Sequence, residues 1–410
     1  MLAALQNITL ANFDNAYVIA AIWVGLACVA SLVSIRIGLS VALVEILVGV
    51  LAGNVFHLAP NVWINFLAGF GSVLLTFLAG AEIDPRSLRR FLAPSLAIGG
   101  IGFATPFAGA WAFAAVALHW HLHAAQTAGV ALSTTSVAVV YAVMVETGLN
   151  RTDLGKLILT ACFVCDLGTV LALGILFANY NLLLVGFGIA TVLVLVLLPR
   201  TLRFVLRALG HVVSEPEVKF IFLLLFALGG LATAAGSEAV LPAYLVGLVA
   251  AGALHEHPEV VSRVRGIAFS FLTPFFFLKA GTLIVLQAVV TGIGAVLLLF
   301  GVKVGAKVIG VLPATFAFHI RGRQGWYTTM MMSTGLTFGS ISALFGLTHG
   351  YIDRAQYSVL VTVVVLTALV PTMIAQTFFQ PRSHALRYGS ESPLELGDER
   401  PSRQLAGEEV

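Results

Sequence analysis

Asp166 stands inside the apolar stretch FVCDLGTV, residues 163–170, and Lys279, Lys303 and Lys307 stand inside other apolar stretches further along the chain. An ionisable group held at bilayer depth costs at least about 2.5–3.5 kcal/mol on insertion scales, so it faces a protein interior or a wet cavity and has a use there. A buried acid together with buried bases points to ion or proton handling; a purely structural ion pair is the plainer alternative. Two polar runs accompany these charges. ALSTTSVAVV places Ser133, Thr134, Thr135 and Ser136 consecutively, and MSTGLTFGS mixes Ser333, Thr334, Gly335, Thr337 and Gly339. Four polar residues in a row cover every face of a helix, so one polar stripe does not account for them. Such runs predict local helix breaks, whose freed backbone groups are tolerated at membrane depth only where they line a cavity. Ser and Thr used simply for helix packing would be the bland reading.

These residues need membrane helices to hold them, and the composition provides for that. Of 410 residues 59% are hydrophobic and 10% charged, with a mean hydropathy of +1.00. A water-soluble domain carries roughly 25% charged residues, so most of this chain sits in lipid. The net charge of +3 is modest and the basic residues are scattered, which argues against a nucleic-acid partner. The N-terminus lacks a basic region followed by a cleavage site, so the first apolar block reads as a retained span. Cys28, Cys162 and Cys165 all fall in apolar runs and suggest no disulfide framework.

Apolar blocks of roughly 20 residues, the length that crosses about 30 Å of hydrocarbon, predict an all-α membrane protein with about 13 transmembrane helices. The blocks lie near 16–35, 39–57, 62–81, 91–118, 124–145, 155–178, 181–199, 218–236, 239–254, 266–285, 287–317, 325–348 and 356–379. Alternate connections hold Arg36; Arg86, Arg89 and Arg90; Arg151 and Lys156; Arg200, Arg203, Arg207 and Lys219; Arg263 and Arg265; and Arg321 and Arg323. The opposite connections hold almost only Arg354. Since cytoplasmic loops carry the Lys and Arg, this asymmetry puts the N-terminus outside and the C-terminus inside. The two polar runs fall in the fifth and twelfth spans. Their odd separation makes any two six-span repeats, spans 1–6 and 8–13, inverted with respect to each other, the arrangement of secondary transporters whose paired broken helices mark a midplane ion site.

The chain resembles the bacterial monovalent cation:proton antiporters, the family of sodium/proton antiporters and of the transport domains of potassium efflux antiporters. The resemblance rests on VEILVGVLAGN in the second span, LLTFLAGAEIDPRSLRR closing the third, ALSTTSVAVV in the fifth, the Asp166 segment, PFFF with a following glycine in the tenth, and GVKVGAKVIG in the eleventh. It implies one transport domain over residues 16–380, in which spans 4–6 and 11–13 form a core with crossed broken helices. Spans 1–3 and 8–10 would form a scaffold that pairs two protomers, in a bacterial inner membrane. It further implies that Asp166 binds the alkali cation, that Thr134 and Thr135 at one break, with Ser133, Ser333 and Thr334 beside the crossing, offer oxygen ligands, and that Lys307 brings positive charge to the unpaired carbonyls of the helix ends. The transported partners would be Na+ or K+ and H+, with no cofactor.

Chemistry supports an aspartate in this role. A carboxylate holds one proton or one hard alkali cation, and competition between the two at a single site is already an exchanger. Lys307 must then stand far enough away, or wet enough, to avoid a permanent ion pair. The residue before the binding aspartate is usually aspartate, asparagine or glutamine in the family; here it is Cys165. A buried thiol stays neutral, which favours one proton exchanged per cation. Cys162 lies one turn before Asp166, where relatives often place a serine ligand, and its sulfur is a poorer ligand than oxygen for sodium. As a CxxC, Cys162 and Cys165 lack the second pair that zinc would need.

Lys279 would line the ion path or make a structural contact, Lys303 would share the face of Lys307 one turn away, and Glu45 and Glu82 would take helix-end or interfacial roles. His119, His121 and His123 read as an exposed outer connection. Residues 381–410 read as a disordered cytoplasmic tail, without the strand and GxGxxG of nucleotide-gated relatives. A cation-coupled organic solute symporter on a related inverted-repeat fold, or a non-transporting ion sensor, are the other functions this pattern allows.

Overall fold

The computed structural model describes residues 15–37, 39–83, 85–177, 182–209, 214–235, 237 and 239–381. Its helices are α1 (Ala16–Ile37), α2 (Val41–Val55), α3 (Val62–Ala81), α4 (Leu92–Val116), the halves α5a (Leu122–Ser133) and α5b (Val137–Glu146), and α6 (Asp153–Leu176). There follow α7 (Leu182–Leu209), α8 (Pro216–Ala234), α9 (Val240–Leu254), α10 (residues 258–282), α11 (Ile293–Ala317), the halves α12a (Arg323–Met332) and α12b (Thr337–Thr348), and α13 (Arg354–Ile374). Ten helices among the described residues are long and apolar enough to cross a membrane, with α12 counted through its break. The chain is therefore a multi-pass membrane protein. The apolar helices α2 and α9 have 15 residues each, fewer than a perpendicular crossing needs.

Helix starts follow local chemistry. The Asn61 side chain accepts from the Ile64 amide at 3.0 Å and caps α3, and Thr152 does the same for Gly155 at the start of α6, at 3.1 Å. Asp353 and Gln356 exchange bonds of 2.8 and 3.0 Å in a capping box that opens α13. Pro216 and Pro258 stand in the first turns of α8 and α10, where a missing N–H costs nothing.

Two boundaries differ from the sequence expectation. Arg200, Arg203 and Arg207, expected in a connection, lie within α7, which runs on to Leu209. Arg263 and Arg265, also expected in a connection, lie in the first part of α10. Long arginine stems cover apolar helix surface while the guanidinium reaches a polar partner, so hydropathy alone ends such helices too early. Arg263 donates to buried Glu217 at 2.8 Å and Arg265 to Glu82 at 2.7 Å. With Arg90–Asp153 at 2.8 Å they place the ion pairs at one end of the bundle, the arginine-rich end. His123, expected in an exposed connection, is exposed but lies in the first turn of α5a, where its Nδ1 pairs with Gln126 Oε1 at 3.1 Å. Residues 382–410, most of the expected tail, lie outside the described residues.

The helices pack as two groups. In one, α2 lies against α10 and α3 against α9 and α10; in the other, α4 lies against α5a, α6 and α11, α5a against α12b, and α13 against α11 and α12b. The first group is held backbone to backbone. A Cβ at Gly49 of α2 would land on the Leu278 carbonyl of α10, and one at Gly281 of α10 on the Ile46 carbonyl of α2. Gly80 of α3 and Gly247 of α9 stand in the same relation, against the carbonyls of Tyr244 and Phe77. Small residues let membrane helices approach this closely. The two groups meet where α6 crosses α9 and where α13 meets the short helix Leu286–Thr291.

Candidate functional site

Both polar runs interrupt their helices. Residues 134–136 separate α5a from α5b, with Thr134 extended at φ −64° and ψ 157°, and residues 333–336 separate α12a from α12b. Ser133, Thr134, Thr135, Ser136, Ser333 and Thr334 are all fully buried there. The breaks are tied to each other. Thr135 Oγ1 donates to the Met332 carbonyl at 2.9 Å, and the Ser136 amide donates to Thr334 Oγ1 at 3.4 Å. Ser133, Ser333 and Thr334 return their hydroxyls to carbonyls of their own half-helices, Val130, Thr329 and Met331, each at 2.8 Å.

Helix α6 brings Asp166 to this crossing. The carboxyl is 1% exposed, and its Oδ1 has no hydrogen-bond partner. The Thr135 amide approaches it, and it lines a cavity of about 280 Å3 together with Val137 and Thr337, the first residues of α5b and α12b. Helix N-termini present unpaired N–H groups and the positive end of the helix dipole, so the backbone favours negative charge at this spot. A buried carboxylate with a free oxygen is costly unless something neutralises it. A proton or a small cation would do so.

Lys307, from α11, takes the complementary position. Its Nζ is fully buried and donates to Thr135 Oγ1 at 3.0 Å and towards Cys165 Sγ at 3.5 Å. The Cys165 thiol donates to the Ser133 carbonyl at 3.3 Å. The C-terminal ends of α5a and α12a, at Ser133 and Met332, thus receive the cation's field through one hydroxyl and one thiol, in place of the direct contact the sequence suggests. None of the ion pairs among the described residues joins Lys307 to Asp166. The permanent pair that would have locked the site is absent from this geometry.

The other residues singled out in the sequence divide. Cys162, considered as a ligand beside Asp166, instead directs its thiol to Met332 Sδ at 3.7 Å. Thr134 turns its hydroxyl towards the Ala131 carbonyl at 3.4 Å. Glu45, expected at a helix end or interface, is 2% exposed within α2, whereas Glu82 does stand at the C-terminus of α3. Lys303 is more than a neighbour of Lys307. Its Nζ is fully buried, has no hydrogen-bond partner, and fills the space a Cβ at Gly335 would take in the second break. The i, i+4 spacing of the two lysines was the signal for it.

Glu82 and Arg265 gain a role that their sequence positions, 183 residues apart, gave no way to see. They line the cavity at Asp166 and also a second cavity of about 430 Å3, which shares Val137 and Tyr141 with the first and reaches Lys156 and His255 at the arginine-rich end. The two cavities, which share Glu82, Val137, Tyr141 and Arg265, lie between the two helix groups.

Comparison with known proteins places the chain in a family. Residues 24–380 match the family model of the transmembrane region of sodium/hydrogen exchangers. The chain belongs to that family. An Na+/H+ antiporter of Enterococcus hirae is 27% identical over 364 residues, covering 85% of this chain and 94% of its own. The Na+/H+-K+ antiporter GerN of Bacillus cereus is 23% identical over 359 residues, with 84% and 92% covered. The solved structure of the sodium proton antiporter MjNhaP1 from Methanocaldococcus jannaschii at pH 8 superposes with a TM-score of 0.68 at 14% identity, covering 88% of this chain and 98% of that one. That last likeness concerns the fold. These relatives are transporters, not enzymes.

Proposed function

We propose that this exchanger-family protein is a secondary active antiporter that trades a monovalent alkali cation, Na+ or K+, for H+ by alternating access, with the two ions competing for Asp166. The observation that carries the reading is the Asp166 carboxyl: buried at the crossing of two broken helices, one oxygen unpartnered, not paired with Lys307, and reached by a cavity. The names of the relatives favour exchange over solute symport.

Counting α2, α9 and the broken α5 as crossings gives thirteen spans, which fits two inverted six-helix repeats around α7. On this reading α4–α6 and α11–α13 are a moving core, and α1–α3 and α8–α10 a scaffold that pairs two protomers. The arginine-rich end faces the cytoplasm of a bacterial inner membrane, in line with the placement of positive charge. Cys165 stands before Asp166 without a carboxylate of its own and donates its thiol to the Ser133 carbonyl, which supports one proton exchanged per cation. Thr134, Thr135 and backbone carbonyls at the breaks are the proposed oxygen ligands beside Asp166.

The test uses purified protein in proteoliposomes with an internal pH dye and an imposed proton gradient, to which sodium, lithium or potassium is added separately. Proton movement driven by one of these cations in the wild type, and absent in Asp166→Asn, is the expected result. If no alkali cation moves protons in the wild type at any imposed gradient, the antiport reading is wrong, and a symporter or ion sensor becomes the better account.

A further inference from the structure

Alternating access requires the core to slide against the scaffold, so bonds that cross the seam between them exist in one arrangement and break in the other. Two tyrosines make such bonds. Tyr244 of α9 is fully buried and donates its hydroxyl to the Phe163 carbonyl of α6 at 3.0 Å, three residues before Asp166. Its ring also meets Phe338, in the first turn of α12b, edge-on at 6.2 Å. Tyr357 of α13 is fully buried too and donates to the Ala280 carbonyl of α10 at 2.8 Å. The two bonds are reciprocal: one runs from scaffold to core, the other from core to scaffold.

Each hydroxyl has little freedom to compensate if the seam moves. A hydrogen bond of this length is lost once its atoms separate by about 1 Å more, and the buried hydroxyl then has no water to turn to. Phe163 lies inside α6, so its carbonyl uses its second lone pair to accept from Tyr244. Ala280 lies in the last turn of α10, where helix carbonyls run short of amide partners. The Tyr357 bond therefore leaves the larger gap when it breaks.

We propose that Tyr244 and Tyr357 are positioning residues that hold the arrangement in which Asp166 is reached from the arginine-rich end, and that they set its balance against the opposite arrangement. The inference rests on the antiport reading for its functional meaning, since it needs two access states. Its structural content can be measured without any transport.

The experiment measures modification of single reporter cysteines by a hydrophilic thiol reagent in the full-length protein carrying Cys28→Ser. Ala79→Cys lines the cavity at Asp166. Ile284→Cys, 4% exposed, lies two residues beyond the far end of α10, next to Val285, whose amide donates to Ser358 of α13. Removing one net hydrogen bond shifts an equilibrium roughly threefold to tenfold. Tyr244→Phe is expected to speed labelling of Ile284→Cys by that factor, Tyr357→Phe by at least as much, and the double variant by about the product, while Ala79→Cys is labelled no faster than before. In transport, the same variants should move the apparent cation KM on the two sides of the membrane in opposite directions with a smaller change in maximal rate.

Unchanged labelling at Ile284→Cys in both single variants would overturn the proposal. So would labelling that rises at both reporters together with buried Cys162 and Cys165, because general loosening is then the effect of the tyrosines. If the wild type shows no cation/proton exchange at all, the antiport reading falls, and the labelling still decides whether the tyrosines hold this arrangement.

Discussion

Lys307 and Met332 are joined through a single hydroxyl: the Lys307 ammonium donates to Thr135 Oγ1 at 3.0 Å, and that oxygen donates onward to the Met332 carbonyl at 2.9 Å. The side chain of one broken helix thereby carries the charge of α11 to the end of the other. Thr135→Val keeps the shape and removes both bonds, leaving a buried ammonium and a helix-end carbonyl short of a partner. The expected loss is about 1–3 kcal/mol of stability, read by thermal unfolding in detergent. Thr135→Ser should retain most of it, and equal loss in both variants would show that the methyl group, and not the hydroxyl, matters.

In the proposed exchange, competition at Asp166 fixes the sign of the pH dependence. A proton on the carboxyl excludes the cation, so acidification raises the apparent KM for the transported cation, by up to about tenfold per pH unit where the protonated form dominates. Initial exchange rates in proteoliposomes at several pH values check this. A KM that is flat or falls on acidification would remove Asp166 as the shared position.

Cys165 lies 3.5 Å from the Lys307 ammonium. Cys165→Asp introduces a carboxylate within ion-pairing distance and so adds a second protonatable group beside the first. Wild-type exchange is expected to carry no net current, and Cys165→Asp, if it transports, to carry a measurable one. Currents from proteoliposomes adsorbed on a supported membrane make the comparison. Net current already present in the wild type would contradict the one-proton reading.

Lys303 offers a stability prediction of the opposite sign. Its Nζ is buried without a hydrogen-bond partner, which is costly. Lys303→Met, of similar length and without the unpartnered amine, should therefore raise stability by about 1 kcal/mol or more. Gly335→Ala, whose Cβ would occupy the space of that Nζ, should lower it, and should lower it less when Lys303 is already Met. A double-mutant cycle on thermal unfolding measures the coupling.

How far the site was legible depends on whether a signal is local. Polar runs at 133–136 and 333–337 betray helix breaks because a lipid-exposed helix tolerates no such cluster, and Asp166 and Lys307 stand out against apolar neighbours for the same reason. Helix limits were readable where a cap marks them, as at Asn61 and Asp353, and misplaced where arginines of α7 and α10 lie along the helix itself. The partners of each side chain were not legible. Nothing near Glu82 in the sequence names Arg265, and nothing near Cys162 turns its thiol from Asp166 to Met332, because both depend on which helices cross and at what height. Tyr244 and Tyr357 resemble any tyrosines of an apolar span until α9 is seen against α6 and α13 near α10.

The glycine contacts of the first helix group bear on how motion is transmitted. Where Gly49 meets Gly281 and Gly80 meets Gly247, backbone rests on backbone with no side chains between to repack. Such a joint has no soft layer to absorb a push, so in the proposed alternating-access cycle a displacement of α6 or α13 would be felt as a shift of one whole body past another and not be dissipated within α2, α3, α9 and α10. A larger residue at any of these four positions would act as a wedge, spreading the proposed scaffold and detuning its fit to the core while leaving Asp166 and the two helix breaks in place.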